Sequence, residues 1–252
     1  MYLLADIGGT KTRLAASKEL QSFSDPVVFA TPAEPAALAQ LLMDEAYKLT
    51  GGAAAPLMIG KPIYMDIEKE VRKRAGAEVY FENDTALVGL GEAHHGAGKG
   101  SAIFAYITVS TGVNGVRIVD GSIDRSARGF EIGGQYLATE GTTSLEDLIS
   151  GRSVETHYGV HPKELGTDHP FWEEAARVLA YGLHNTISHW SPDTVAIGGS
   201  MMNEIGIPLP RVEAHLEAIR KKYPVLPKIV HSELGDLGGL WGGLQRLKEL
   251  TA

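Results

Sequence analysis

Apolar and polar positions divide this chain into short strand-like runs, helical stretches and glycine-marked turns. Residues 2–5 form an apolar run that reads as a buried strand, Asp6-Ile7-Gly8-Gly9-Thr10 as a tight turn, and residues 12–17 as the returning strand of a hairpin. Residues 27–30 read as a further strand. Over residues 35–50, Ala37, Leu38, Leu41, Leu42 and Leu49 recur at helical spacing, and Gly51-Gly52 stops the helix. A buried strand over 56–59 and a helix over 67–75 follow, with Lys69, Glu70, Arg72, Lys73 and Arg74 as the solvated face of that helix. Residues 77–81 are β-branched and aromatic, and residues 86–93 are apolar at helical spacing, so a strand meets a helix at Glu82-Asn83-Asp84-Thr85.

The glycine-rich stretch 94–100 reads as a hinge or boundary, after which the opening pattern returns. Residues 103–109 are a buried strand, Ser110-Thr111-Gly112 a turn of small residues, and residues 113–120 a returning strand. With an offset of 104 residues Asp6 falls on Ser110, Gly8 on Gly112 and Arg13 on Arg117, which predicts two similar subdomains rather than a short-period solenoid. Beyond a turn at 120–122 and a glycine-rich stretch at 128–135, hydroxyls precede carboxylates over 142–147 as at a capped helix start. A long helix over 172–190 ends at Ser191-Pro192, and a buried strand over 194–197 runs into Gly198-Gly199-Ser200. A helix over 208–223, a strand over 228–231 and a glycine-sided helix over 237–250 complete the pattern.

Composition narrows what such a chain can do. At 252 residues it is near the size where a single core stops growing, so one large domain or two smaller ones are expected. The net charge of −8 speaks against a general nucleic-acid or anionic-membrane binder, so no nucleic-acid and no membrane partner is expected and an anionic ligand needs a local site. The absence of cysteine excludes disulfides, thiolate nucleophiles, iron–sulfur clusters and thiolate-ligated zinc. The amino terminus lacks a basic region and meets Asp6 early, and no apolar run reaches membrane-span length, so a soluble cytoplasmic protein is expected.

Candidate chemistry collects at several positions. Asp84 stands at a strand end, where open α/β sheets bind ligands, and a carboxylate there can take a proton from a hydroxyl as general base. The bland alternative is a helix N-cap, since Asn and Asp are preferred there; Asn83-Asp84-Thr85 is also a glycosylation acceptor, which matters only in a secreted chain. Gly8 and Gly9 let amides approach an anion, Thr10 and Lys11 add a hydroxyl and a charge, and Asp6 can hold hydrated magnesium, although an ordinary hairpin explains the same turn. Gly198 and Gly199 allow a flat ring against the backbone, or only close strand–helix packing. Glu131 and Glu146 can each accept hydrogen bonds from a polyol, or be ordinary surface and capping acids. His157 and His161 are four apart, but Gly159 and Pro162 point to a loop rather than a metal-binding helix face.

Six motifs in order resemble the ROK family of sugar kinases, in the actin-like ATPase superfamily: Leu4-Ala5-Asp6-Ile7-Gly8-Gly9-Thr10-Lys11, Glu82-Asn83-Asp84-Thr85-Ala86, Thr108-Val109-Ser110-Thr111-Gly112-Val113-Asn114-Gly115, Gly129-Phe130-Glu131-Ile132-Gly133, Leu145-Glu146 with Ser150-Gly151, and Ile197-Gly198-Gly199. The resemblance implies an α/β fold of two ribonuclease-H-like domains around a nucleotide cleft, residues 1–97 with 236–252 and residues 98–235. It implies ATP and magnesium as cofactors, with Asp6, Gly8, Gly9, Thr10 and Lys11 as the first phosphate loop and Asp6 near the metal. Ser110, Thr111 and Gly112 are the implied second phosphate loop, and Gly198 and Gly199 the adenosine site. Asn83 and Asp84 resemble the sugar-binding pair with Asp84 as base, and Glu131 and Glu146 the acids that hold sugar hydroxyls. A small-molecule sugar is the implied partner, and a homodimer the implied assembly.

Three departures qualify the resemblance. Gly134 stands where the family carries a histidine that in many members adjoins the sugar, and the zinc-binding cysteines after it are missing, so a lineage without zinc is expected. The segment Ile59-Gly60-Lys61-Pro62-Ile63-Tyr64-Met65-Asp66 replaces a longer glycine–proline loop and part of the sugar pocket. Ser110 and Asn114 replace glycines common in the second phosphate loop. The expectation is a glucokinase-like phosphotransferase acting on a hexose or related sugar; the alternative is a sugar- or nucleotide-binding sensor that no longer turns over. The family's repressors carry an amino-terminal DNA-binding domain, and this chain begins at the phosphate loop, so that version is not expected.

Overall fold

The computed structural model describes residues 1–62, 64–221 and 224–251. The chain divides into two compact units, Met1–His94 with Asp236–Ala252, and His95–Gly235. Each holds a five-stranded mixed sheet.

In the first unit the strands are β1 (Tyr2–Ile7), β2 (Lys11–Ser17), β3 (Val27–Ala30), β4 (Leu57–Lys61) and β5 (Val79–Asn83), in the spatial order β3-β2-β1-β4-β5. β1, β2 and β3 form an antiparallel meander, while β4 and β5 lie parallel to β1 and need the crossover helices α1 (Pro35–Thr50) and α2 (Glu68–Ala75). This is the ribonuclease-H-like order. Helix α1 begins with Pro35, whose missing N–H costs nothing at that position, and ends at Gly51 in the left-handed conformation. Its buried face is Leu38, Ala39, Leu42, Met43 and Ala46. Helices α3 (Asp84–His95) and α8 (Gly238–Thr251) belong to the same unit, where Leu87 of α3 and Leu240, Leu244 and Leu247 of α8 form a cluster with Leu4, Ala15 and Met58. The glycines along α8 allow close approach: a Cβ on Gly242 would lie 1.7 Å from the Leu87 carbonyl oxygen. The charged face of α2 is solvated as expected, with Lys69, Arg72 and Lys73 exposed. Arg72 donates to the Val79 carbonyl and covers the Phe81 ring, and Arg74 pairs with Glu70.

The second unit repeats the order with β6 (Ile103–Val109), β7 (Val113–Val119), β8 (Ser122–Ile123), β9 (Thr194–Gly198) and β10 (Lys228–His231), arranged β10-β9-β6-β7-β8. Its helices are α4 (Leu145–Ile149), α5 (Gly151–Tyr158), α6 (Phe171–Trp190) and α7 (Leu209–Ile219). Leu179, Leu183 and Ile187 of α6 and Val212 and Leu216 of α7 are buried in one core with Ile107, Val195 and Ile197 of the sheet. The helix predicted over 208–223 ends earlier, at Ile219, and its positions 222 and 223 lie outside the described residues. Helix α5 is absent from the sequence pattern, and His157 lies in it rather than in the predicted loop. Its Nδ1 donates to the Ser153 carbonyl, a bond within the helix, while His161 Nδ1 accepts from the Lys163 amide at the start of a short 3₁₀ turn.

The two hairpins are equivalent, but not at an offset of 104. In β1–β4 the last paired position is Asp6 opposite Gly60, and in β6–β9 it is Thr108 opposite Gly198. Asp6 therefore matches Thr108, an offset of 102 residues (108 − 6). The innermost hairpin pairs are Ile7–Thr12 and Val109–Val113, so the second turn is one residue shorter, which gap-free matching of the sequence misses.

Candidate active site

In the first unit three parallel strands end at one edge, with Asp6 opposite Gly60, Gly60 opposite Glu82 and Lys61 opposite Asn83. This register brings Asp6 and Asp84 to the same edge of the sheet. Asn83, not Asp84, caps α3: its Oδ1 accepts the Ala86 amide at 3.0 Å. Asp84 is the first helical residue, and its Oδ1 accepts the Thr85 amide at 2.8 Å. Burial raises the Asp84 carboxyl above the ordinary range, opposed by the Thr85 amide and the positive charge of Lys61. Lys61 is a site residue the sequence pattern misses, because the predicted strand stops at residue 59 whereas β4 continues to Lys61. Its ammonium pairs with Glu68 at 3.5 Å and its side chain is 11% exposed.

Asp6 is under greater strain. Its carboxyl lies against the first turn of α8, where a Cβ on Gly239 would be 2.5 Å from Asp6 Cγ. Burial pushes it up to about 7, the charge of Asp84 adds to the rise, Arg13 opposes it and Asp236 adds a little more. Arg13 is itself paired with Asp236. Among the described residues no group of three or more His, Asp or Glu side chains is arranged to hold a metal ion alone. One or two carboxylates are nevertheless what a hydrated magnesium ion shared with phosphates requires. The crowding of Asp6 by Asp84 is the donor chemistry that a cation relieves, so these residues fit such an ion.

The turn at residues 8–10 is braced from behind. Gly8 N–H donates to the Lys11 carbonyl, and Thr31 donates its hydroxyl to the Gly8 carbonyl and its amide to the Thr10 carbonyl. Gly9, Thr10 and Lys11 are exposed, and the amides of Gly9 and Thr10 donate to no atom among the described residues. Pointed outward, such amides suit an anion.

In the second unit the turn Ser110-Thr111-Gly112 is held on two sides. The Gly151 and Arg152 amides of α5 donate to the Ser110 and Thr111 carbonyls, and the Ser110 hydroxyl meets that of Ser200 at 3.0 Å. Ser200 follows Gly198 and Gly199, so the predicted second phosphate turn and adenosine segment are neighbours. Gly199 has φ +98°, and a Cβ there would be 2.3 Å from the Val109 carbonyl oxygen, so no other residue fits. Glu146 Oε2 accepts the Val113 amide at 2.8 Å and lies against Gly112. Glu131 is exposed and precedes a 3₁₀ turn whose Gly133 packs on the Val113 carbonyl. Both acidic segments thus gather at the start of β7, but Glu146 already spends one oxygen on the backbone. Gly134 opens onto space, with no atom within 4 Å of a Cβ built there.

The sequence profile of the ROK family matches residues 58–249. The chain belongs to the ROK family. A ROK hexokinase from Thermus thermophilus superposes with a TM-score of 0.80 at 27% identity, over 98% of this chain and 99% of that one. A ROK glucokinase from Streptomyces griseus, solved with glucose and AMPPNP, gives 0.81 at 20% identity over 98% and 99%, a likeness of fold. An N-acetyl-D-glucosamine kinase from Yersinia pseudotuberculosis is 27% identical over 75% of this chain and 72% of its own length. The match to a fructokinase from Lactococcus lactis is shorter and spans about half of that protein (50%). In this ROK chain the turn at residues 8–10 precedes the matched span. Among the described residues no helix is long and apolar enough to cross a membrane.

Proposed function

We propose that this ROK protein transfers the γ-phosphoryl group of ATP to a hydroxyl of a hexose or related sugar, with Asp84 as general base. The observation that supports this most is the division of labour at the β5–α3 junction. Asn83 caps the helix, so Asp84 is not needed as the cap, and burial makes it more basic than an ordinary carboxylate. As the sugar oxygen forms its bond to the γ-phosphorus, the hydroxyl proton passes to Asp84, the bond to the β–γ bridging oxygen breaks, and ADP leaves. Positioning and charge stabilisation dominate such transfers. The amide and hydroxyl of Thr10 supply part of that stabilisation, and Asn83 orients the sugar beside the base. A magnesium ion held near Asp6 would neutralise phosphate charge. Homologous kinases acting on glucose, N-acetylglucosamine and fructose support a sugar as acceptor.

A screen of aldoses, ketoses, amino sugars and inositols for sugar-dependent ADP release tests the reading, with wild type compared to Asp84→Asn. A general base contributes 10²- to 10⁴-fold, roughly 3 to 5 kcal/mol, so turnover should fall by that factor while nucleotide binding survives. A mutant with wild-type turnover would sink the base assignment. A wild type that binds a sugar yet phosphorylates none would leave a sensor in its place.

A further inference from the structure

We propose that Arg152 is a phosphate-binding residue of the second unit, its guanidinium completing the anion site at Ser110-Thr111-Gly112. The inference rests on the nucleotide-dependent reading above and adds a cation to it. Three observations carry it. The Thr111 and Gly112 amides donate to no atom among the described residues, so the turn presents two unused donors and the exposed Thr111 side chain. Glu146 lies directly behind Gly112, 2.6 Å from a Cβ built there, so an incoming phosphate meets a carboxylate's negative charge unless a cation offsets it. Arg152 supplies that cation: its backbone is fixed to the turn by the bond from its amide to the Thr111 carbonyl at 3.2 Å, and Nη1 stands 3.9 Å from Glu146 Oε1.

That separation is too long for a hydrogen bond, and the guanidinium donates to no acceptor among the described residues. An exposed ion pair at this distance contributes little to folding, and the side chain is 63% exposed. Its five donors are therefore free for phosphate oxygens, which a planar guanidinium engages in pairs. Helix α5 fixes where Arg152 stands. Ser150 caps the helix through the Ser153 amide at 3.1 Å, and Gly151 packs against the Ser110 carbonyl, so the residue next in line reaches the turn.

Equilibrium binding of magnesium-AMPPNP to wild type, Arg152→Met and Arg152→Lys, repeated over a range of salt concentrations, tests this. Arg152→Met should weaken AMPPNP about tenfold or more, the loss expected for hydrogen bonds to a charged group. Its affinity should also depend less steeply on salt, and Arg152→Lys should recover part of the loss. Equal affinity and equal salt dependence in Arg152→Met would overturn the inference while leaving the kinase reading intact. So would a loss with an unchanged salt slope, which signals distortion of the turn rather than a missing charge. A wild type that binds no AMPPNP overturns both.

Discussion

Asp6 shows how a single side chain sets the electrostatics of the first unit. Its folded pKa of about 7 lies above the ordinary 3.8, so the folded state favours the protonated form. The stability this contributes is complete below about pH 4 and is lost as pH rises through 7. The slope is at most about 1.4 kcal/mol per pH unit for one group. Asp6→Asn should therefore match wild type near pH 4 and become the more stable protein above pH 7, measured by urea unfolding without nucleotide or magnesium. Parallel pH curves for the two would show that the Asp6 carboxyl is not crowded as described. Asp6 and Asp84 stood out as candidates in the sequence because Asp6 ends an apolar run and Asp84 lies where a strand pattern gives way to a helical one. Lys61, whose charge acts on Asp84, did not, since the apolar run ends before it and a lysine there looks like an ordinary surface charge.

At the scale of elements the least secure piece is also one that carries a candidate site residue. Helix α4 has five residues, too few to be stable by propensity, and it carries Glu146. What holds it is a capping box: the Ser144 hydroxyl accepts the Asp147 amide at 3.2 Å, and Asp147 accepts the Ser144 amide at 2.9 Å. The Ser144 hydroxyl, which also donates to the Asp147 carboxylate at 2.7 Å, and then the Ser144 amide keep that carboxyl below its usual range. Ser144→Ala should cost about 0.5 to 2 kcal/mol and loosen Glu146 from the Val113 amide. Hydrogen exchange at Val113 checks this: faster exchange in the variant is expected, and an unchanged rate would mean that packing of Leu145 and Ile149 alone fixes the helix. The capping signal was legible over residues 142–147, whereas α5 was not, because Ser150 ends one helix and begins the next with no apolar periodicity between them. Strand ends were misjudged for a related reason. β4 runs on through Gly60 and Lys61, beyond the strand expected over 56–59 and into the segment compared with a longer glycine–proline loop.

For the whole molecule, topology and core membership predict which part folds alone. The unit His95–Gly235 is one continuous segment with its own core, built around Trp172, Leu179 and Ile197. Residues 1–94 lack α8, which provides Leu240, Leu244 and Leu247 to the cluster with Leu4, Met58 and Leu87. Burying each such leucine is worth about 1.5 to 3 kcal/mol, a large share of the 5 to 15 kcal/mol that keeps a domain folded. A fragment of residues 95–235 should thus unfold cooperatively, whereas residues 1–94 alone should not. Joining residues 1–94 to 236–252 by a few glycines and serines should restore folding. The join is short because α3 and α8 already touch where it falls: a Cβ on Gly91 would lie 2.4 Å from the Gly238 carbonyl oxygen. Tryptophan fluorescence follows residues 95–235 through Trp172 and Trp190 and the joined first unit through Trp241, while residues 1–94, which hold no tryptophan, are followed by far-ultraviolet circular dichroism. A cooperative transition in residues 1–94 without α8 would show that the returning helix is dispensable to the first core. Failure of residues 95–235 to fold would show that the second core, complete as it is in composition, needs the first unit to form.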